Sequence, residues 1–153
     1  MAAYFFDSSA VVKRYVNETG TLWVSGIAAD GANKVYVVRL TLVEVVSAMT
    51  RKARGAEIAA AGAATAVAGF RRDFLNQYAK VDLTHELIER AADLAETHAL
   101  RGYDAIQLSA ALEVGSERAT VGMSAITLIS ADAALNAAAA AEGLAVDDPN
   151  AHA

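Results

Sequence analysis

Four acids in this chain stand where a carboxylate could do chemistry. Asp7 follows an apolar run in "YFFDSSAVV", Glu44 lies inside "TLVEVVSAMTRKARG", Asp104 opens "DAIQLSAAL", and Asp132 follows another apolar run in "LISADAAL". Hydroxyls accompany two of them: Ser8 beside Asp7, and Ser130 two residues before Asp132. Oxygen ligands with no cysteine in the chain and no histidine beside them suit Mg2+ or Mn2+ rather than zinc. A plainer role competes at each position. Aspartate is a preferred helix N-cap, Asp104 with Gln107 forms a capping-box-like pair, and a helix dipole favours an anion at its start. Glu44 shares a helical stripe with Thr41, Ala48 and Arg51, which an exposed face with an ion pair to Arg51 would also explain. Taken together the plain roles weaken, because clustered carboxylates raise one another's pKa unless a cation offsets them.

Whether the four acids cluster depends on the elements that carry them. Tyr4–Phe6 and "KVYVV" (34–38) read as strands from their β-branched and aromatic content, as do "YAKVDL" (78–83) and "AITLIS" (125–130). Helical spacing is expected over Ser8–Tyr15, over "TLWVSGIAAD" (21–30) with Leu22, Trp23 and Ile27 as apolar anchors, and over 41–55. It is expected again over Glu57–Gln77, from Thr84 to about His98, over "RGYDAIQLSAALEVG" (101–115) and over 132–143. "LAVDD" adds an edge strand before Pro149. Strands alternate with helices, so the expectation is an α/β fold with a mainly parallel sheet covered on both faces. In such a sheet every strand ends on one edge, where ligands bind. Connectivity then puts Asp7, Glu44, Asp104 and Asp132 on one rim.

At 153 residues, 55% hydrophobic and 20% charged, the chain suits one folded domain, placed at 1–149, with a frayed tail over 150–153. The absence of cysteine suits the cytoplasm, and the N-terminal stretch lacks the basic start of a signal peptide. The longest mildly apolar run, "IAAAGAATAVAGF", is too short and too weak to span a bilayer, so no membrane association is expected. A net charge of −5 argues against a protein that coats nucleic acid generally, though not against an enzyme whose acids bind divalent cations.

Four segments, "FFDSSAVVKRYVNETG", "LTLVEVVSAMTRKARG", "ALRGYDAIQLSAAL" and "LISADAALNAAAAAEGL", together resemble the PIN-domain family, specifically VapC-type toxins of bacterial toxin–antitoxin systems. The resemblance covers nearly the whole chain with the segments in order. It implies a three-layer α/β/α sandwich and an Mg2+- or Mn2+-dependent ribonuclease toxin. It also implies a homodimer held inactive by a cognate VapB-type antitoxin. The family's acidic pocket carries over to Asp7, Glu44, Asp104 and Asp132, with Ser130 at a position where a hydroxyl is usual. Thr19 stands where many relatives have proline, which touches nothing catalytic. On this reading Asp7, Asp104 and Asp132 hold metal, and Glu44 either ligates or orients a water.

An acidic pocket needs cations to hold RNA. Lys13 and Arg39 are the expected phosphate contacts; Arg51, Lys52 and Arg54 read as complements to a helix C-terminus, and Arg71 and Arg72 as an exposed face. Tyr15 and Trp23 could stack on a base, though their apolar neighbours favour core packing, and His85, His98 and His152 read as surface residues. A phosphotransferase resembling the haloacid dehalogenases would want an acid at position 9, where Ser9 stands, and a receiver-like domain would want an acid pair after the first strand. The alternative from another class is a non-catalytic interaction module whose acidic pocket binds a basic partner segment.

Overall fold

In the computed structural model, which describes all 153 residues, β1 (Ala3–Phe6), β2 (Lys34–Val38), β3 (Ala79–Val81), β4 (Ile126–Ile129) and β5 (Ala145–Asp147) form one sheet. Its order is β3-β2-β1-β4-β5, and every neighbouring pair is parallel. The helices are α1 (Ser8–Tyr15), α2 (Thr21–Ala29), α3 (Thr41–Arg54), α4 (Ala60–Asn76), α5 (His85–His98), α6 (Gly102–Thr120) and α7 (Ala133–Ala141).

The period-two alternation of the strands divides the core. Phe6, Val35, Val37 and Ile129 face one side and pack with Val11, Val24, Val45, Met49, Phe70 and Phe74 from α1 to α4. Ala3, Phe5, Val38 and Leu128 face the other and pack with Leu87, Leu108, Val114 and Leu135 from α5 to α7. Burial on both sheet faces explains why the strands read as continuous apolar runs, and the result is the expected α/β/α sandwich. Strand order runs outward from β1 in one direction through β2 and β3, and in the other through β4 and β5. The switch point therefore lies between the C-terminal ends of β1 and β4, where the Asp7 amide donates to the Ile129 carbonyl at 3.2 Å.

The elements depart from the sequence reading in four places. Helix α4 starts at Ala60 rather than Glu57, because Ala56 takes a left-handed φ of 57° and Glu57 folds back to Lys52 at 3.3 Å. Helix α6 runs five residues past Gly115, which marks close packing against Leu144 and Ile126 rather than a stop. Leu22 is not an anchor of α2: it is 89% exposed, and Val24 and Ala28 take the buried positions. Nor do residues 149–152 fray. Pro149–Ala151 forms a 3-10 turn with Pro149 buried, the His152 ring stacks on Trp23 at 3.9 Å, and its Nε2 lies 2.9 Å from Asp147. No helix is long and apolar enough to cross a membrane.

Candidate active site

Asp7 ends β1 and caps α1, and both facts follow from "FFDSS": an apolar strand, an acid, then small hydroxyl residues. Its Oδ1 accepts from the Ala10 amide at 2.9 Å and from Ser9 Oγ at 2.6 Å. Its Oδ2 accepts from Ser130 Oγ at 2.6 Å, across the switch point. Ser130 Oγ in turn accepts from the Asp132 amide at 3.0 Å. Asp132 caps α7 through Oδ1, which accepts from the Leu135 amide at 2.9 Å. For these two acids, capping and the site coexist, because a carboxylate has a second oxygen to offer.

Asp104 and Glu44 are not caps. Arg101 occupies the N-cap position of α6 and Asp104 lies one turn inside, 8% exposed. Gln107, which the competing capping-box reading pairs with Asp104, is turned into the protein. Its Nε2 lies 2.9 Å from Glu44 Oε1, 3.0 Å from Ser8 Oγ and 3.1 Å from Thr41 Oγ1, so two amide hydrogens serve three acceptors. Glu44 Oε1 also accepts from Ser8 Oγ at 2.7 Å. No pair with Arg51 forms; Glu44 is held from α1 and α6, and both bonds fall on one oxygen.

Asp7, Glu44, Asp104 and Asp132 line one cavity of about 160 Å3 together with Ser8, Ser9, Arg101, Tyr103 and Gln107. That is below the 300–1,000 Å3 typical of small-molecule pockets and suits an ion with its hydration shell. The largest hollow, about 620 Å3 beside α2 and residues 152–153, has Glu18 as its sole acidic side chain. Chemistry, not size, marks the smaller cavity. Burial is the first cause in each of its shifted carboxyl groups. It pushes Asp7 up to about 6 against three opposing hydrogen bonds, with the Asp104 charge adding to the shift. Burial also raises Glu44, opposed by Ser8 and Gln107 and helped by Asp104, and it raises Asp104, helped by Asp132 and opposed by Arg101.

The cation already present is Arg101. Its Nε donates to Asp104 Oδ2 and its Nη2 to Asp132 Oδ2, each at 3.1 Å, while the side chain stays 67% exposed. In this arrangement no three acidic side chains close on a common point as ligands of one ion would. The donor chemistry nevertheless suits Mg2+ or Mn2+: all oxygen, partly desolvated, and with the proton affinities of Asp7, Glu44 and Asp104 raised by burial and neighbouring charge.

The basic residues fare differently. Lys13 has little free surface to offer a phosphate: its side chain is 7% exposed and its ammonium is paired with Glu18 at 3.2 Å. It belongs to the buried face of α1, where an uncompensated charge is costly. Arg39 is half-exposed, engaged by Asp82 and absent from the acidic cavity. Arg51 instead lines an adjoining groove with Ser8, Ser9, Val12, Val43, Glu44 and Tyr103. Tyr15 packs edge-on to Phe70, and its hydroxyl bonds Asp73 at 2.9 Å. The sequence reading missed Ser9, Arg101, Tyr103 and the inward role of Gln107. Ser9 was signalled by "DSS", and Arg101 by its place three residues before Asp104.

Comparison with known proteins identifies the family of this chain. The PIN-domain family model matches residues 4–141. Ribonuclease VapC45 of Mycobacterium tuberculosis (strain CDC 1551 / Oshkosh) is 36% identical over 115 residues, covering 75% of this chain and 78% of that protein. Among solved structures, PAE2754 from Pyrobaculum aerophilum superposes with a TM-score of 0.63 at 18% identity, covering 98% of this chain and 85% of the other. A toxin–antitoxin complex from Klebsiella pneumoniae gives 0.58 at 15% identity, covering 95% and 97%. The chain belongs to the PIN-domain family, in its VapC group.

Proposed function

We propose that the chain is an Mg2+- or Mn2+-dependent ribonuclease, the toxin of a toxin–antitoxin pair, working at the acidic cavity. The observation that carries this reading is the meeting of Asp7, Glu44, Asp104 and Asp132 at the switch point of a parallel sheet, in a chain 36% identical to a ribonuclease VapC. Asp7, Asp104 and Asp132 would hold the ion. When bound, it supplies an acidified water and offsets phosphate charge. Ser9, Ser130 and the Ala10 amide fix the Asp7 carboxylate. Ser8 and Gln107 hold Glu44 by Oε1, which leaves Oε2 to accept a proton or orient a water. A VapB-type antitoxin and a second copy of the chain are the partners this reading expects. Support for the antitoxin comes from family membership, and for partner binding generally from exposed apolar side chains such as Leu22, Val43, Leu75 and Val121.

Purified protein freed of partners should cut RNA with Mg2+ or Mn2+ and stop on adding EDTA. Asp7→Asn, Glu44→Gln and Asp104→Asn should each abolish cutting while keeping a folded circular-dichroism spectrum. Near-wild-type nuclease activity in all three would end the assignment. A second reading, a non-catalytic module for a basic partner segment, is favoured by the guanidinium of Arg101 already seated on two of the acids. It predicts no metal-dependent cleavage by the wild type.

A further inference from the structure

We propose that Arg101 is a resident counter-ion of the acidic cavity, bridging Asp104 and Asp132 while no metal is bound and releasing both when an ion enters. The inference rests on the metal reading above and extends it to a residue that reading does not use.

Three observations carry it. First, the two arginine bonds fall on Oδ2 of each acid, while Asp132 Oδ1 is committed to capping α7. The guanidinium therefore occupies the Asp132 oxygen that has no other hydrogen-bond partner. Second, Arg101 is the single cationic side chain lining the cavity, and the acids around it do not close on a common point. A unit charge spread over a planar fork satisfies two of four carboxylates; a divalent ion could gather more of them. Third, the bridge can open without disturbing the fold. The side chain is 67% exposed and leaves the backbone at the extended N-cap residue of α6, so rotation about its own bonds suffices. The Tyr103 ring, 5.7 Å from the guanidinium carbon, stays beside it as a second contact surface.

A cation that must be displaced lowers the apparent affinity for the ion that displaces it. Titration calorimetry with MnCl2 at low ionic strength and neutral pH should find Arg101→Gln binding Mn2+ about threefold to tenfold more tightly than wild type, the scale of breaking two exposed ion pairs. Arg101→Lys, which keeps the charge but loses the planar fork, should fall between. Arg51→Gln, which removes a charge from the adjoining groove without breaking the bridge, should bind like wild type. Melting curves give a second measure: Arg101→Gln should gain a larger Mn2+-induced rise in Tm than wild type. Equal or weaker Mn2+ binding by Arg101→Gln, or equal tightening by Arg51→Gln, would overturn the proposal and leave the metal reading standing. No Mn2+ binding by either wild type or Arg101→Gln would remove the metal reading, and this proposal with it.

Discussion

At Asp7, two hydroxyls and an amide favour the carboxylate, and full burial disfavours it. Burial prevails, and the group titrates near 6 rather than 3.8. The native state then keeps a proton that the unfolded chain gives up between about pH 4 and 6, so metal-free stability falls as pH rises through that window and levels off above it. The Asp7 contribution to this fall is on the order of 3 kcal/mol, at 1.36 kcal/mol per pH unit. Asparagine caps a helix as well as aspartate. Urea denaturation in EDTA should therefore show a shallower pH dependence for Asp7→Asn than for wild type, with the variant relatively more stable at pH 7. Superimposable profiles would mean that the Asp7 pKa is not raised. Gln107 supports a second prediction. Gln107→Glu removes the only nitrogen donor to Glu44 and sets two carboxyl groups together, and should destabilise the protein at pH 7 by about 2 kcal/mol or more. The loss should shrink on acidification, because the introduced carboxyl group can donate again once protonated; a loss independent of pH would point to packing instead.

At the scale of elements, Gly20 has the most constrained backbone. It precedes α2 with φ 87°, and a Cβ built there would lie 2.3 Å from the Pro149 carbonyl oxygen. Gly20→Ala should cost about 2 kcal/mol or more, seen as a fall in Tm of about 4–8 °C. An unchanged Tm would show that the 149–152 segment is not seated against α2. That contact also shows where sequence reasoning ran out. β-branched runs revealed β2 and β4, and alternation with helices implied the parallel sheet, so the common rim of Asp7, Glu44, Asp104 and Asp132 was legible before any coordinates. Docking of the 149–152 segment was not, because its stabilisation comes from Trp23 and Gly20, far away at the other end of the chain. The inward role of Gln107 is hidden for a related reason: local spacing offers only a capping box, and the tertiary approach of α3 supplies the amide a better partner in Glu44. Lys13, named as a phosphate contact, lies on a buried face that a helix as short as α1 shows poorly in sequence.

The whole molecule gathers Asp7, Glu44, Asp104 and Asp132 at one edge of its sheet and leaves several apolar side chains uncovered, with Leu22 at 89%, Leu75 at 74% and Val121 at 68% exposure. Light scattering at about tens of micromolar should report a dimer, whose interface would bury on the order of 1,200–2,000 Å2. A monomeric mass, with no small partner recovered from native lysate, would count against both association expectations. Trp23 is the only tryptophan, and its ring lies under His152 in a region that shares no lining residue with the acidic cavity. The protein thus carries an intrinsic fluorophore that watches the seam between α2 and the C-terminal turn, away from the carboxylates. On heating, a red shift of Trp23 emission ahead of the loss of helical ellipticity would mark the 149–152 segment as a separately melting unit, whereas coincident transitions would make that seam part of one cooperative fold.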